Sequence, residues 1–278
     1  MRRVESLSRS LVLVAASASA ALAQADSGRI RPLFTWRDGV LAAGFAVGTI
    51  AIRPLDKSAA TALQEPSRQH KIIFQEGSTV VRTIAVPGSV IIGTSMYAVG
   101  RLAHVDRLAE VGLHGTEAIG VGSAVADVLK DILGRARPFV DTAGPNPDDW
   151  QLMRGLHRGA NYQSFPSGHT VAAFAAAAAV SSETSRWWPT ATYFGIGPVL
   201  YGGAAAVGLS RMYNNRHWAS DVIMGAAIGT FAGTKVVRYH ITHPGNRIDR
   251  WLLHASVSPS DLSHISFSLS PLAPRPKR

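Results

Sequence analysis

The chain has 278 residues, of which 46% are hydrophobic and 17% are charged, below the roughly 25% charged residues of a usual soluble domain. Its net charge of +10 indicates an anionic partner or substrate, but the chain has no dense basic tract with interleaved aromatic residues, which argues against nucleic-acid binding. The absence of cysteine excludes disulfides, cysteine-ligated zinc and thiol catalysis.

Residues 1–23 predict a secretory signal peptide. Arg2 and Arg3 precede an apolar stretch that begins at Leu11, and Ala21-Leu22-Ala23 has the small-residue pattern of a cleavage site. The alternative is an amphipathic helix at the amino terminus. We therefore expect an exported protein of the periplasm or cell envelope, with an N-terminal arm over residues 24–39.

Six apolar segments follow, and their lengths and Ala-rich composition favour helices over strands. Loop signals such as Arg53-Pro54 and Arg137-Pro138 separate them. We predict an all-α fold with a six-helix core bundle in one domain over residues 40–251. The predicted helices are Val40–Ile52, Ile84–Val99, Ala118–Leu129, Thr170–Val180, Ala191–Leu209 and Val222–Val237.

The predicted helices are short for a membrane protein. Most are about 11–16 residues long, whereas a span needs roughly 20 largely apolar residues. We therefore expect a compact exported bundle that is soluble or membrane-associated, although insertion into the membrane stays open. The tail over residues 252–278 differs, because residues 264–270 alternate polar and apolar side chains and predict a short strand.

The first candidate motif is Lys130-x6-Arg137-Pro138 at the end of the third predicted helix. Residues seven apart lie on one face of a helix, so both cations can point toward one anion. Pro138 favours an extended conformation at Arg137, which places the helix end just before it. The alternative is a solvated helix end whose cations oppose the helix dipole.

The second motif, Pro166-Ser167-Gly168-His169, directly precedes the fourth predicted helix. Unpaired backbone N–H groups at a helix start bind anions, and glycine allows a phosphate to approach the backbone. Ser167 adds a hydroxyl donor and His169 an imidazole in the first turn. The alternative is an ordinary serine cap beside an unrelated histidine.

The third motif is Ser210-Arg211-x5-His217-x3-Asp221. We expect His217 and Asp221, four residues apart, to be neighbours on one helix face, where the carboxylate fixes the imidazole tautomer. Such a histidine is a good nucleophile or base, and the planar guanidinium of Arg211 suits phosphate oxygens. The alternative is a surface ion pair at a helix start.

Together the three motifs resemble the signature of the type 2 phosphatidic acid phosphatase (PAP2) superfamily. That superfamily includes lipid phosphate phosphatases, bacterial class A acid phosphatases and vanadium haloperoxidases. The resemblance covers residues 130–221 and holds at all eleven motif positions, but it does not cover the N-terminal arm or the tail.

The resemblance implies a metal-independent phosphatase that forms a phosphohistidine. His217 is then the nucleophile, Asp221 orients it, and His169 protonates the leaving oxygen and later activates water. The phosphate-binding residues implied by the resemblance are Lys130, Arg137, Ser167, Gly168 and Arg211. Their positive field repels a divalent cation, so we expect no metal or cofactor there.

The expected substrate is a phosphorylated lipid, such as phosphatidic acid or an isoprenyl diphosphate, or a small phosphate ester. Two alternatives remain open: a vanadium-dependent haloperoxidase that holds vanadate in the same site, and a non-catalytic envelope scaffold. We expect seven other histidines to have no catalytic or binding role, because they lack partners at a useful spacing: His70, His104, His114, His240, His243, His254 and His264. For His157, in the loop between the first two motifs, the alternatives are a substrate contact and the favoured position in a solvated loop.

Overall fold

The computed structural model describes residues 32–69, 87–141, 144–253, 255–261 and 264–269. For the two segments after residue 254, only the backbone is described. The predicted signal peptide and most of the predicted arm lie outside the described residues.

Helices make up most of the described chain. The first two, α1 and α2, are joined by a 3-10 turn, Arg53–Leu55, and α8 contains a π-helical segment, Thr192–Ile196. The helices are α1 Trp36–Ile52, α2 Asp56–Leu63, α3 Pro66–Gln69, α4 Ser89–Leu102, α5 Asp106–Leu133, α6 Arg154–Arg158, α7 Gly168–Trp187, α8 Pro189–Tyr213, α9 Ala219–Thr242 and α10 Arg247–Leu252.

The all-α bundle is as predicted, but most predicted helix lengths are too short. The helix α5 has 28 residues, α7 has 20, α8 has 25 and α9 has 24. The prediction for α5 missed its first three turns, which carry charged residues such as Glu110 and Glu117 that resemble a loop in the sequence. The argument that these helices are too short to span a membrane is therefore wrong.

The core of the bundle is built from small residues. Gly225, Gly229 and Gly233 of α9 face the backbone of α7, and a β-carbon on Gly229 would lie 2.3 Å from the carbonyl oxygen of Val171. Buried alanines continue this interface, and the central cluster contains Ala118, Ile119, Ala172, Ala175, Ala179, Ala232, Val236 and Val237. Small residues at this spacing let two helices approach to backbone contact.

Large apolar side chains lie on the outside of the bundle instead. Ile50 of α1 is 71% exposed and Val199 of α8 is 73% exposed, and similar residues cover the outer faces of α4 and α5. The segments Trp36–Leu63 and Pro189–Tyr213 are long and apolar enough to cross a membrane. Small residues inside and large apolar residues outside are typical of helices packed in lipid.

Two antiparallel strands follow α10. They are β1 Ala255–Asp261 and β2 His264–Leu269, paired from Ala255 opposite Leu269 to Asp261 opposite His264. The second strand coincides with the alternating segment of the sequence, whereas the first was not predicted because Pro259 interrupts its pattern.

Candidate active site

The predicted site residues lie at one end of the bundle. The carboxyl end of α5, the amino ends of α7 and α9, and the carboxyl end of α8 all meet there, since these neighbouring helices run in alternating directions. Each of the three sequence motifs contains one of these helix ends or its adjoining loop. The fold therefore brings together residues that are up to 91 positions apart in the chain.

The end of α5 differs from the prediction. The helix stops at Leu133, and Gly134 caps it in the left-handed conformation with φ 55°. A β-carbon on Gly134 would lie 2.1 Å from the Gln151 carbonyl oxygen, so glycine is required there for space as well as conformation. Lys130 is thus in the last turn of α5 while Arg137 is in extended backbone, and the two do not share a helix face.

Lys130 nevertheless reaches the second motif. Its Nζ atom lies 2.6 Å from the position that a β-carbon on Gly168 would take, and it donates to Asp127 Oδ1 at 2.7 Å. Ser167 is the N-cap of α7 and is completely buried, and its hydroxyl accepts from Thr170 Oγ1 at 2.8 Å. An ammonium group therefore lies directly over an open helix start, which is a favourable site for an anion.

Arg137 is fixed by backbone oxygens on both sides of the site. Its Nε donates to the carbonyl of Ala160 at 2.6 Å, and its Nη1 donates to the carbonyl of Arg216 at 3.0 Å. The same Nη1 lies 3.1 Å from His217 Nε2. Burial lowers the pKa of Arg137 to about 10, with the nearby charge of Arg216 acting in the same direction.

His217 has a defined orientation. It is 3% exposed, and its Nδ1 lies 2.6 Å from the carbonyl oxygen of Ser164. A carbonyl oxygen can only accept, so Nδ1 carries the proton and the lone pair is on Nε2. The Nε2 atom faces Arg137, which binds anions well, and is therefore directed at the place where a phosphate would lie.

Asp221 lies beside His217, but not through the predicted helix geometry. The helix α9 begins at Ala219, so His217 precedes it, and the His217 Nδ1 to Asp221 Oδ2 distance is 3.5 Å. Asp221 Oδ2 accepts shorter bonds from the backbone N–H of Trp218 at 2.9 Å and from Ser164 Oγ at 2.6 Å. The carboxylate thus fixes the loop that carries His217 and adds a negative charge beside the ring.

Both site histidines are neutral at pH 7 in the unliganded site. Burial, followed by the charge of Arg211, lowers the pKa of His169 to about 3, and His217, Lys130 and Arg137 act in the same direction. Burial lowers the pKa of His217 to about 4, although Asp221 opposes this shift. Arg137 and Arg211 therefore lie close enough to both histidines to disfavour their charged forms.

The sequence analysis missed several residues that support the predicted ones. Ser164 contacts both His217 and Asp221, and Arg135 donates to Asp221 Oδ1 at 2.5 Å. Asp56, from the start of α2, in turn accepts from Arg135 Nη2 at 2.7 Å. For Arg135 the sequence offered one signal, its position between the two predicted cations of the first motif. Asp56 offered none, because it lies 74 positions before that motif.

His114 and His240 form a second cluster with Asp249, and the expectation that they lack partners is wrong. His114 Nδ1 lies 2.5 Å from Glu183 Oε1, and His240 Nδ1 lies 2.6 Å from Asp249 Oδ1. The cluster lies about 24 Å from Lys130 along α5, given a rise of roughly 1.5 Å for each residue. His114, His240 and Asp249 are the three side chains in the described residues close enough together to hold a metal ion.

The ring geometry of this second cluster does not suit a metal. The imidazoles of His114 and His240 are stacked, with centroids 3.9 Å apart and planes 21° apart. A metal ion lies near the plane of each imidazole that binds it, and two nearly parallel planes do not meet at a common ion. The arrangement instead suits hydrogen bonds from both rings to carboxylates, which join α5, α7, α9 and α10.

Two comparisons with known protein sequences bear on this site. Residues 113–244 match the PAP2 superfamily. A 73-residue stretch, 25% of this chain, is 45% identical to a lipid A 1-phosphatase of Porphyromonas gingivalis. The chain spans about 15% of the length of that relative.

One solved structure shows a similar fold, and a second gives a weaker match. The crystal structure of the first transmembrane PAP2 type phosphatidylglycerolphosphate phosphatase from Bacillus subtilis matches with a TM-score of 0.51 and 20% identity, covering 77% of this chain and 99% of that one. The crystal structure of Aquifex aeolicus LpxE matches with a TM-score of 0.45 and 20% identity, covering 67% of this chain and 94% of that one.

Proposed function

We propose that this chain, whose residues 113–244 match the PAP2 superfamily, is a phosphatase that hydrolyses a phosphorylated lipid through a phosphohistidine at His217. The observation that carries the proposal is the orientation of His217. Its Nδ1 proton is bound by the Ser164 carbonyl at 2.6 Å, so its Nε2 lone pair is directed toward Arg137.

In the first step, His217 Nε2 forms a bond to phosphorus while the bond from phosphorus to the ester oxygen breaks. His169 gives its proton to that leaving oxygen. In the second step, water attacks phosphorus, the bond to Nε2 breaks, and His169 takes the proton from the water. Because phosphoryl transfer depends mainly on positioning and charge, the chemistry needs little beyond these two imidazoles and a strong anion site.

The phosphate oxygens are bound by the groups around the start of α7. Lys130 lies over Gly168, and Arg137 lies beside His217 Nε2. Arg211 is buried and close enough to lower the pKa of both histidines. With Ser167 and the backbone N–H of Gly168, these cations supply the neutralisation that metal ions give other phosphatases.

A lipid substrate is favoured by the stretch that is 45% identical to a lipid A 1-phosphatase and by the apolar exterior of the bundle. We propose that the protein is embedded in an envelope membrane through Trp36–Leu63 and Pro189–Tyr213. The exposed Trp36 and Trp188 lie at the end opposite the catalytic residues, where aromatic side chains commonly mark a membrane interface. The reacting groups then lie at the other interface, within reach of a lipid headgroup.

The test is phosphate release by the detergent-solubilised protein in EDTA, with phosphatidic acid, lipid A and 4-nitrophenyl phosphate as substrates. Wild type is expected to be active and His217→Ala inactive, with a phosphoenzyme that is labile in acid and stable in base. Asp106→Asn, a change at an exposed position of α5, serves as the control for loss of activity during purification and should remain active. Activity that persists in His217→Ala, or that disappears in EDTA, would contradict the proposed mechanism.

A further inference from the structure

A buried chain of charges extends from His217 to the start of α2. Asp221 Oδ1 accepts from Arg135 Nη1 at 2.5 Å, and Arg135 Nη2 donates to Asp56 Oδ2 at 2.7 Å. Asp221, Arg135 and Asp56 are each 0% exposed. Three fully buried ionised side chains in direct contact are costly to desolvate, so they require close mutual pairing.

The hydrogen bonds of Arg135 are fully used. Besides the two carboxylates, its guanidinium donates to Ser220 Oγ at 2.8 Å and to the carbonyl of Pro147 at 2.8 Å from Nη2 and 3.0 Å from Nε. Its planar fork therefore has one orientation, which fixes Asp221 Oδ1. Asp221 Oδ2 is left to bind the loop of His217.

Asp56 also holds the first turn of α9. Its Oδ1 accepts from the backbone N–H of Ser220 at 2.8 Å, and its Oδ2 accepts from Ser220 Oγ at 2.5 Å. Ser220 is the residue directly before Asp221. The carboxylate of Asp56 therefore binds both the backbone that carries Asp221 and the guanidinium that orients it.

Asp56 also determines the net charge of the buried group that it forms with Arg135 and Asp221. Asp221 and Arg135 alone form a neutral pair, which would stabilise a positive charge on His217 only weakly. With Asp56, the three groups carry one net negative charge. This net charge lies behind the imidazole of His217, which becomes positive as its Nε2 bonds to phosphorus. The nearby cations Arg137 and Arg211 oppose that positive charge.

We infer that Asp56 and Arg135 are positioning residues for the proposed reaction, which act through Asp221 on His217 to favour formation of the phosphohistidine. This inference rests on the proposed function. Neither residue reaches the phosphate site, because both are completely buried behind Asp221. Their loss therefore changes the rate of phosphoryl transfer and leaves the binding of the phosphate group unchanged.

The test is Asp56→Asn, with kcat and KM measured on 4-nitrophenyl phosphate in detergent micelles. We expect kcat to fall roughly 10-fold or more, the lower end of the range for residues that orient a reacting group through its hydrogen-bond partners, with KM unchanged. Asp56→Glu restores the negative charge and is expected to recover part of the lost kcat. A purely structural role would instead lower the amount of folded protein and leave kcat per folded molecule constant.

The control is Asp38→Asn, which removes an ion pair with Lys235 at the other end of α1 and is expected to retain wild-type kcat. If Asp56→Asn does not fold, Arg135→Lys is the variant that tests the inference. Lysine keeps the positive charge but cannot bind both carboxylates, so kcat should still fall. A folded Asp56→Asn or Arg135→Lys with wild-type kcat overturns the inference. His217→Ala is measured in parallel: if it remains active, the proposed function itself fails, whereas an inactive His217→Ala beside an unaffected Asp56→Asn rejects only the role of Asp56.

Discussion

The ammonium group of Lys130 occupies the space that a side chain on Gly168 would need, 2.6 Å from the ideal β-carbon position. The absence of a β-carbon at the start of α7 is therefore what lets a cation and the helix amino terminus bind the same anion. We expect Gly168→Ala to displace the flexible end of Lys130 and lower kcat/KM on the order of 100-fold, the usual cost of losing one transition-state donor.

The stability of Gly168→Ala should remain close to that of wild type, because a lysine side chain can move where a backbone could not. Activity and thermal unfolding are measured on the same preparation. Gly120→Ala, at a position on α5 with no neighbouring atom within 4 Å, is the matched control and should keep full activity. An active Gly168→Ala would show that Lys130 is not needed over the helix start.

The lowered pKa values of the two site histidines predict faster hydrolysis in mild acid than in alkali. His217, with a pKa of about 4, is already neutral and nucleophilic at pH 5. His169, with a pKa of about 3, needs the negative charge of a bound phosphate to retain its proton. Raising the pH removes that proton, so kcat should fall as the pH rises from mild acid. The measurement is a pH–rate profile on an alkyl phosphate, which has a poor leaving group.

His169→Gln tests the same assignment. An aryl phosphate needs little protonation of its leaving oxygen, so the variant should lose much more activity on an alkyl phosphate than on 4-nitrophenyl phosphate. The acid contribution is roughly 10²- to 10⁴-fold where protonation is required. Equal losses on both substrates would contradict the assignment of His169 as the acid.

The close contact between α7 and α9 predicts that a side chain at Gly229 would destabilise the protein. A β-carbon there would lie 2.3 Å from the Val171 carbonyl oxygen and 2.8 Å from the Ala175 nitrogen, and neither backbone atom can move alone. We expect Gly229→Ala to destabilise the protein by about 1–3 kcal/mol, the usual cost of overpacking. Thermal unfolding in detergent measures this, and Gly115→Ala, which meets no atom within 4 Å, should not lower the transition temperature.

The second cluster predicts a stabilising role separate from catalysis. Asp249 accepts from His240 at 2.6 Å, and its other oxygen accepts from Asn246 at 2.8 Å, so Asp249→Asn breaks a buried charged network. We expect a loss of about 3–5 kcal/mol and faster hydrogen exchange in α10, with kcat unchanged in the folded fraction. Added zinc should not raise the unfolding temperature of wild type, because the stacked rings cannot share an ion.

The sequence identified the residues that the fold brings together at the candidate site better than the residues that support them. Motif positions such as Lys130, His169 and His217 belong to short blocks whose spacing itself carries chemical meaning. Asp56 contacts Arg135, which is 79 positions away in the sequence, and His114 contacts Glu183, which is 69 positions away. Such partners can be identified only in the folded chain. The helix lengths were underestimated for a related reason: the charged residues early in α5 are paired within the bundle and do not mark a loop.

The hydrogen bond from the Ser167 backbone N–H to the Asp221 carbonyl, 3.1 Å long, joins the start of α7, which carries His169, to the first turn of α9, which follows His217. Gly225 packs against the same serine, since a β-carbon there would lie 2.8 Å from the Ser167 carbonyl oxygen. The proposed acid, His169, and the proposed nucleophile, His217, are therefore joined by direct contacts between the two helix starts. Under the proposed function, discrimination among lipids then depends on how each headgroup and its chains enter from the membrane surface, with no closure around the phosphate required before the reaction.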